Sequence, residues 1–106
     1  SDKELDEVLT KGSNWTFEKG YATEEDLAHT EDNGCIKTAD AKKVSPRAKA
    51  RGRDQLGTIG AGNHFIEVQV VQEIFDEKTS AVFGLEKEQI VVLIHTGSRG
   101  LGHQTA

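Results

Sequence analysis

The stretch His64-Phe65-Ile66-Glu67-Val68-Gln69-Val70-Val71 decides the fold, because apolar and polar side chains alternate along most of its length. Such alternation predicts a β-strand, which we expect to run from about His64 to Ile74. A second stretch, Ile90-Val91-Val92-Leu93-Ile94, is apolar at every position. This pattern predicts a second strand that is buried on both faces.

Helical patterns lie before and between these strands. We expect helices from Asp2 to Leu9, from Thr23 to about Asp32, from Pro46 to about Gln55 and from Asp76 to Phe83. The hydroxyl of Ser45 can cap the third of them, with Pro46 at its first position. The order of elements predicts an α+β fold, with α/β as the alternative, in which helices are followed by a mixed or antiparallel sheet.

Composition indicates one domain with a modest core. The 106 residues are 35% hydrophobic and their mean hydropathy is -0.55, so we expect Trp15, Phe17 and Tyr21 to be needed for packing. No apolar run approaches the ~20 residues that span a bilayer. We therefore expect a soluble, cytoplasmic protein with no membrane partner. Cys35 is the only cysteine, which excludes an intrachain disulfide, and we expect an ordinary loop thiol after the Asn33-Gly34 turn.

Charge is distributed unevenly along the chain. The net charge is -5, but residues 1–32 carry ten acids against three lysines, whereas residues 33–55 carry seven basic residues against two acids. A dense basic segment can follow a nucleic-acid backbone. The alternative, which the composition favours, is a solvated helix face that the acidic start balances.

Two histidines are predicted at strand ends beside glycines. His64 follows Gly57-Thr58-Ile59-Gly60-Ala61-Gly62-Asn63, and His95 opens His95-Thr96-Gly97-Ser98-Arg99-Gly100-Leu101-Gly102-His103. Neutral imidazole is the commonest protein metal ligand, and we expect the glycine-rich segment that bears Arg99 to be a turn that can hold a phosphate. One ion shared by both imidazoles requires strand ends that meet. It therefore predicts antiparallel strands, or strands of two sheets that meet at the site.

Three neighbours of His64 suit a nucleotide, although each also has an ordinary structural explanation. The amide of Asn63 can donate to a phosphate oxygen or simply belong to a turn. Glu67 can accept from the N–H edge of a purine or face water, and Phe65 lies on the same strand face as Glu67. Neither glycine cluster matches a P-loop or a dinucleotide-binding turn. No serine or cysteine nucleophile with its base is apparent.

The segments Gly62-Asn63-His64-Phe65-Ile66-Glu67-Val68 and His95-Thr96-Gly97-Ser98-Arg99-Gly100-Leu101-Gly102-His103-Gln104 together resemble the signature of the RtcB family of RNA ligases. Val44-Ser45-Pro46-Arg47-Ala48 and Gln55-Leu56-Gly57-Thr58 are also similar to archaeal or bacterial members. The resemblance covers the chain from about residue 12 to its end.

The resemblance implies a chemistry and roles for particular residues. Members of this family join RNA ends with a 2′,3′-cyclic phosphate or 3′-phosphate to 5′-hydroxyl ends, using GTP and Mn²⁺ through a guanylylated histidine. It implies that His64 and His95 are manganese ligands and that Arg99 binds a phosphate. It also implies a nucleotide-binding stretch made of Asn63, His64, Phe65, Ile66 and Glu67.

The family's Asp-x-x-Cys metal motif, its third ligand histidine and its guanylylated histidine find no match here. We therefore expect residues 1–106 to be an internal segment of a larger RtcB-like catalytic domain, inactive alone and dependent on the remainder of the parent polypeptide, GTP and RNA. A stand-alone metal- or nucleic-acid-binding module is the alternative. A metal-assisted hydrolase is a third, which leaves Asn63 and Glu67 without a task.

Overall fold

Six α-helices and one two-stranded sheet follow one another along the chain. A computed structural model describes residues 1–106. The helices are α1 Asp2–Lys11, α2 Asn14–Glu18, α3 Glu24–Ala28, α4 Pro46–Arg53, α5 Glu77–Val82 and α6 Arg99–Thr105, and the strands are β1 Phe65–Val70 and β2 Ile90–His95. These elements are those of an α+β fold, as predicted. They divide into two compact units, Ser1–Leu56 with Ser98–Ala106 and Gly57–Gly97.

The helices of the first unit begin where the sequence supplies a capping hydroxyl. Ser1 and Glu4 form a capping box at the start of α1, and Thr23 and Asp26 form another at the start of α3. The Ala48 amide donates to Ser45 Oγ over 3.2 Å at the start of α4. Each hydroxyl satisfies an N–H group that has no partner within its helix. None of the helices has the length and apolar character needed to cross a lipid bilayer.

Two details between α1 and α4 differ from the sequence prediction. Helix α3 ends at Ala28 instead of about Asp32, because Thr30 is already extended, with φ of -103° and ψ of 139°. Tyr21 was predicted to pack but is 78% exposed, whereas Trp15 is half-buried on α2 and donates from Nε1 to Glu7. The packing prediction is therefore wrong for Tyr21.

The core of the first unit is small, as the composition predicted. Leu5, Ala41 and Ala48 are the buried hydrophobic residues. Helix α4 packs on α6 through glycine: a Cβ built on Gly52 would lie 2.7 Å from Leu101 Cβ. Gly52 therefore lowers the helix propensity of α4 but is the residue that allows this close approach.

The second unit holds the sheet. β1 pairs antiparallel with β2, from Phe65 opposite His95 to Val70 opposite Ile90. β1 is shorter than the predicted strand to Ile74, because ladder hydrogen bonds stop at Val71, whose amide donates to the Gln89 carbonyl. Helix α5 follows its predicted bounds, with Asp76 as its cap.

The prediction that β2 is buried on both faces is wrong for this chain. Ile90 is 65% exposed, Val92 57%, Leu93 44% and Ile94 58%. The sheet has only two strands, and such a sheet is too small to bury its own faces. An apolar sequence shows that a strand is suited to burial. Whether the strand is buried depends on the elements that pack against it.

Candidate metal and nucleotide site

Antiparallel pairing brings the two histidine-bearing strand ends to the same end of the sheet. His95 is the last residue of β2, and His64 immediately precedes β1. Phe65 is the residue directly opposite His95. Of the two arrangements predicted for a shared ion, the structure has the antiparallel one.

Phe65 and His95 form a ring stack across the two strands. Their centroids are 5.2 Å apart, and their planes differ by 8°. One face of the Phe65 ring is consequently occupied by imidazole. A nucleobase that stacks on Phe65 would have to use the opposite face.

His64 is held by a backbone carbonyl. Its Nδ1 lies 3.3 Å from the Ala61 oxygen, and the residue is half-buried. A carbonyl oxygen only accepts, so this contact is a hydrogen bond when Nδ1 carries the proton. That tautomer leaves the lone pair of Nε2 for a metal, which is the arrangement usual for metal-binding histidines.

A hydrogen bond joins the two glycine-bearing turns of this unit. The Thr96 hydroxyl donates to the Ile59 carbonyl over 3.1 Å. Gly57, which precedes Ile59, and Gly60 and Gly62, which lie between Ile59 and β1, all have positive φ. Residues with a side chain rarely adopt this conformation. Sequence analysis missed Thr96 and the Ile59 and Ala61 carbonyls as positioning groups, because backbone carbonyls have no residue-specific signal.

The remaining nucleotide candidates lie along β1 and just before it. Asn63, Ile66 and Glu67 are exposed. Strand alternation places Glu67 on the face of Phe65 and His95, and Ile66 on the other face. Gln69 donates from Nε2 to Glu67 Oε2 over 2.8 Å, which fixes one carboxylate oxygen and leaves the second for a ligand.

Arg99 belongs to the first unit, and its surroundings correct one prediction. The glycine-rich segment from Arg99 onward is the helix α6 and not an extended turn. The Gly100 amide donates to Gln55 Oε1 over 2.9 Å, so this N–H group is unavailable to an anion. Arg99 has φ of 47°, which is uncommon for a residue with a side chain.

The chain offers two candidate donors to a metal and no complete set. No group of three or more histidine, cysteine, aspartate or glutamate side chains is placed to hold an ion. Cys35 lies elsewhere, with Sγ 3.4 Å from the Thr10 carbonyl, in the loop predicted for it. His64 and His95 are therefore the two candidate metal ligands at this site.

Two side chains of the basic segment, Lys49 and Arg53, form ion pairs with acidic residues of the first unit. Arg53 Nη1 lies 2.9 Å from Asp2 Oδ1, and this hydrogen bond raises the pKa of the Arg53 guanidinium. Lys49 Nζ lies 2.7 Å from Asp6 Oδ1, an ion pair whose angles do not make a hydrogen bond. These contacts between α4 and the acidic α1 favour the solvated-face interpretation over a nucleic-acid module.

Comparison with known proteins agrees with the two motifs. The family model described as tRNA-splicing ligase RtcB matches residues 1–106. The chain belongs to the RtcB family. A tRNA-splicing ligase RtcB of Pyrobaculum aerophilum is 57% identical over 107 residues, covering 100% of this chain and 22% of the relative. That of Archaeoglobus fulgidus is 54% identical over 104 residues, covering 98% of this chain and 22% of the relative.

A third RtcB relative, from Nanoarchaeum equitans, is 56% identical over 104 residues and covers 97% of this chain. The chain spans about a fifth of the length of these RtcB relatives, 22% in each of the three. Residues 57–97, which hold the histidine-bearing strand ends, lie within the matched region.

Proposed function

We propose that this chain is part of an RNA ligase that acts in tRNA splicing. The longer protein would join RNA 2′,3′-cyclic phosphate or 3′-phosphate ends to 5′-hydroxyl ends, with GTP and Mn²⁺, through a guanylylated histidine outside residues 1–106. The same reaction would also serve RNA repair. We propose that the protein acts in the cytoplasm. The observation that carries this proposal is the family match along the whole chain.

In this proposal His64 and His95 contribute two ligands to a divalent ion. The residues fit such an ion, because a hydrogen bond from His64 Nδ1 to the Ala61 carbonyl would leave Nε2 free to ligate and both imidazoles lie at the same end of the sheet. When bound, the ion would supply Lewis-acid stabilisation of phosphoryl oxygens. The other donors would come from the remainder of the polypeptide.

Residues 63–67 form the nucleotide-binding part of the proposal. The amide of Asn63 would donate to a phosphate oxygen, and the free oxygen of the Glu67 carboxylate would accept from a guanine N–H group. Phe65 would offer the ring face that His95 leaves open. Ile66 alternates to the other face of the strand and would contribute to the stretch through its backbone.

Arg99 would hold a phosphate of RNA or nucleotide. A guanidinium matches phosphate oxygens in a bidentate manner, which an ammonium cannot do. Its positive φ is a backbone strain of a kind that concentrates at functional positions. Arg99→Lys should therefore retain charge but lose much of the activity of the longer protein.

A transfer experiment tests the proposed function. This chain replaces the matched residues of the Pyrobaculum aerophilum relative, and the hybrid is incubated with Mn²⁺ and GTP. We expect a covalent guanylate by mass in the hybrid and none in the chain alone. His64→Ala and His95→Ala should abolish ligation of RNA. His29→Ala should not, because His29 lies in the first unit at the end of α3, with its Nδ1 2.8 Å from the Glu25 carbonyl. Ligation that survives both histidine substitutions would overturn the proposal.

A further inference from the structure

The side chain of Gln55 joins the end of α4 to the start of α6. Its Oε1 accepts a hydrogen bond from the Gly100 amide over 2.9 Å. Gln55 is half-buried and lies two residues beyond the end of α4, and both partners of the bond belong to the first unit. Gln55 opens one of the segments that resemble the family, and the function proposed above gives it no role.

This bond supplies a cap that α6 does not have from its own residues. Ser98 is the N-cap residue of α6, but its side chain makes no capping hydrogen bond. The N–H groups in the first turn of a helix have no partner within the helix. Gln55 therefore satisfies one of them from α4, as a serine hydroxyl at the N-cap normally would.

The glycine at residue 100 leaves room for the Gln55 amide. A Cβ at residue 100 would lie 2.8 Å from Gln55 Oε1, which is too close for two atoms that are not bonded. Gly100 is not among the glycines with positive φ, so its backbone conformation would allow alanine. The need for glycine at this position therefore comes from the space that Gln55 occupies.

The peptide group that Gln55 contacts is attached to Arg99. The Gly100 N–H belongs to the planar peptide that links these two residues, so a bond to it also restrains ψ of Arg99. Arg99 has φ of 47°, and such a conformation persists in a residue with a side chain only where surrounding contacts maintain it. Gln55 therefore restrains the backbone from which the Arg99 side chain extends.

We propose that Gln55 is a positioning residue that orients Arg99 for bidentate binding of a phosphate. A guanidinium binds two phosphate oxygens at once only when its plane is correctly oriented. This inference rests on the phosphate-binding role of Arg99 in the function proposed above. It adds that Gln55 affects phosphate binding only through Arg99.

A double-mutant cycle in the Pyrobaculum aerophilum hybrid tests the inference. Gln55→Met keeps the length and helix propensity of glutamine but removes the oxygen. Gln55→Met, Arg99→Ala and the double variant are titrated with a single-stranded RNA that ends in a 3′-phosphate. They are also titrated with an α,β-methylene analogue of GTP, which cannot form the covalent guanylate. The ligand that Arg99→Ala weakens shows whether the phosphate belongs to RNA or to the nucleotide.

We expect Gln55→Met to weaken that same ligand roughly 2- to 10-fold, the effect of losing one hydrogen bond. When Arg99→Ala is already present, Gln55→Met should change the affinity by less than about 2-fold, because the two residues act as one unit.

Gly100→Ala breaks the same bond from its other end. The added Cβ would displace the flexible end of Gln55, whereas alanine favours a helix more than glycine does. We therefore expect weaker phosphate binding, as in Gln55→Met, with little change in the melting temperature of the hybrid. A purely structural role of Gln55 would instead make the affinity follow the melting temperature.

Gln104→Met is the matched control. Arg51 Nη1 donates to Gln104 Oε1 over 3.1 Å, so this substitution removes the other glutamine bond between α4 and α6. It leaves the peptide between Arg99 and Gly100 bonded to Gln55. We expect it to change the affinity for either ligand by less than about 2-fold.

Three results would overturn the inference: unchanged affinities in Gln55→Met or Gly100→Ala, an equal loss from Gln55→Met with and without Arg99, or an equal loss from Gln104→Met. An Arg99→Ala hybrid that binds both ligands normally would overturn it together with the role of Arg99. Binding does not require ligation. A hybrid that shows the expected coupling but joins no RNA would therefore refute the proposed function and leave this inference standing.

Discussion

The ring of Phe65 lies parallel to the imidazole of His95, with the centroids 5.2 Å apart. The two residues are also directly opposite each other across the antiparallel strands. The residue proposed to contact the nucleotide and a residue proposed to bind the metal are therefore in direct contact. A substitution that removes the Phe65 ring should therefore alter the orientation of the His95 imidazole.

Phe65→Ala tests this connection. Loss of the ring contact should lower the free energy of unfolding by about 0.5–1.5 kcal/mol beyond the loss of buried area, and should weaken Mn²⁺ binding because His95 loses its orientation. Phe65→Tyr keeps the ring and should retain Mn²⁺ affinity. Urea unfolding and Mn²⁺ titration by electron paramagnetic resonance measure the two effects. Unchanged affinity in Phe65→Ala would show that the stack does not position His95.

The contact of Gly52 with Leu101 predicts an inverted glycine effect. Alanine in a helix interior is normally more stable than glycine by ~1 kcal/mol. A Cβ at residue 52 would however lie 2.7 Å from Leu101 Cβ, and such overpacking costs roughly 1–3 kcal/mol. We expect Gly52→Ala to lower the free energy of unfolding, as measured in urea.

The size of that effect should depend on Leu101. Leu101→Ala shortens the side chain, although its Cβ remains, so Gly52→Ala should cost less in this background than in the unsubstituted chain. Ala50→Gly, at an exposed position of the same helix, should show the ordinary loss of about 1 kcal/mol. A stabilising Gly52→Ala in the unsubstituted chain would contradict the close packing of α4 on α6.

Acid should weaken the start of α3. The Thr23 amide and hydroxyl donate to Asp26 Oδ2 over 2.7 and 2.8 Å, which lowers the pKa of the Asp26 carboxyl, with the amide as the larger cause. In an unfolded chain the pKa of an aspartate carboxyl is about 3.9. The contribution of Asp26 to the free energy of unfolding is therefore complete above the pKa of the unfolded chain. It is lost as the pH falls through the lower pKa that Asp26 has in the folded chain.

Asp26→Asn should accordingly flatten the dependence of stability on pH below about 4. Urea unfolding at a series of pH values, compared with the unsubstituted chain, measures the slope. Glu24→Gln is a matched control, because Glu24 lies in the same helical turn but makes no such capping bond. Parallel slopes for Asp26→Asn and the unsubstituted chain would remove Asp26 as the cause.

The hydroxyl of Thr96 should matter for metal binding without touching the metal. Thr96→Val removes the bond to the Ile59 carbonyl, which should cost about 0.5–1.5 kcal/mol of stability and weaken Mn²⁺ binding by loosening the turn before His64. Thr96→Ser keeps the hydroxyl and should behave as the unsubstituted chain in both measurements. Equal Mn²⁺ affinities for the valine and serine variants would show that the turn is held by other contacts.

Local chemistry made much of the fold predictable. The caps at Ser45 and Thr23, the glycine after α1 and both strands follow from side chains close in sequence. Helix α6 was missed because its two internal glycines disfavour a helix, and its packing on α4 depends on a contact distant in sequence. The exposure of β2 could not be predicted, because an apolar run shows that a strand is suited to burial but does not show which element would cover it.

The candidate site was likewise predictable only in part from the sequence. The positions of His64 and His95 at strand ends were predictable from the sequence, and antiparallel pairing was one of the two arrangements predicted for a shared ion. The carbonyl that orients His64 and the stack between Phe65 and His95 require three-dimensional register. All of the proposed roles stay predictions, those of His64 and His95 as metal ligands as well as those of Asn63, His64, Phe65, Ile66, Glu67 and Arg99 toward nucleotide or phosphate.

Anomalous scattering from a crystal of the Pyrobaculum aerophilum hybrid soaked in Mn²⁺ tests the central claim, that His64 and His95 hold one divalent ion. We predict a peak about 2 Å from a ring nitrogen of each imidazole, with Nε2 as the ligating atom of His64. The same peak should be absent from crystals of His64→Ala and His95→Ala and present in those of His29→Ala. Imidazoles that point into separate apolar surroundings with no peak between them would contradict the account.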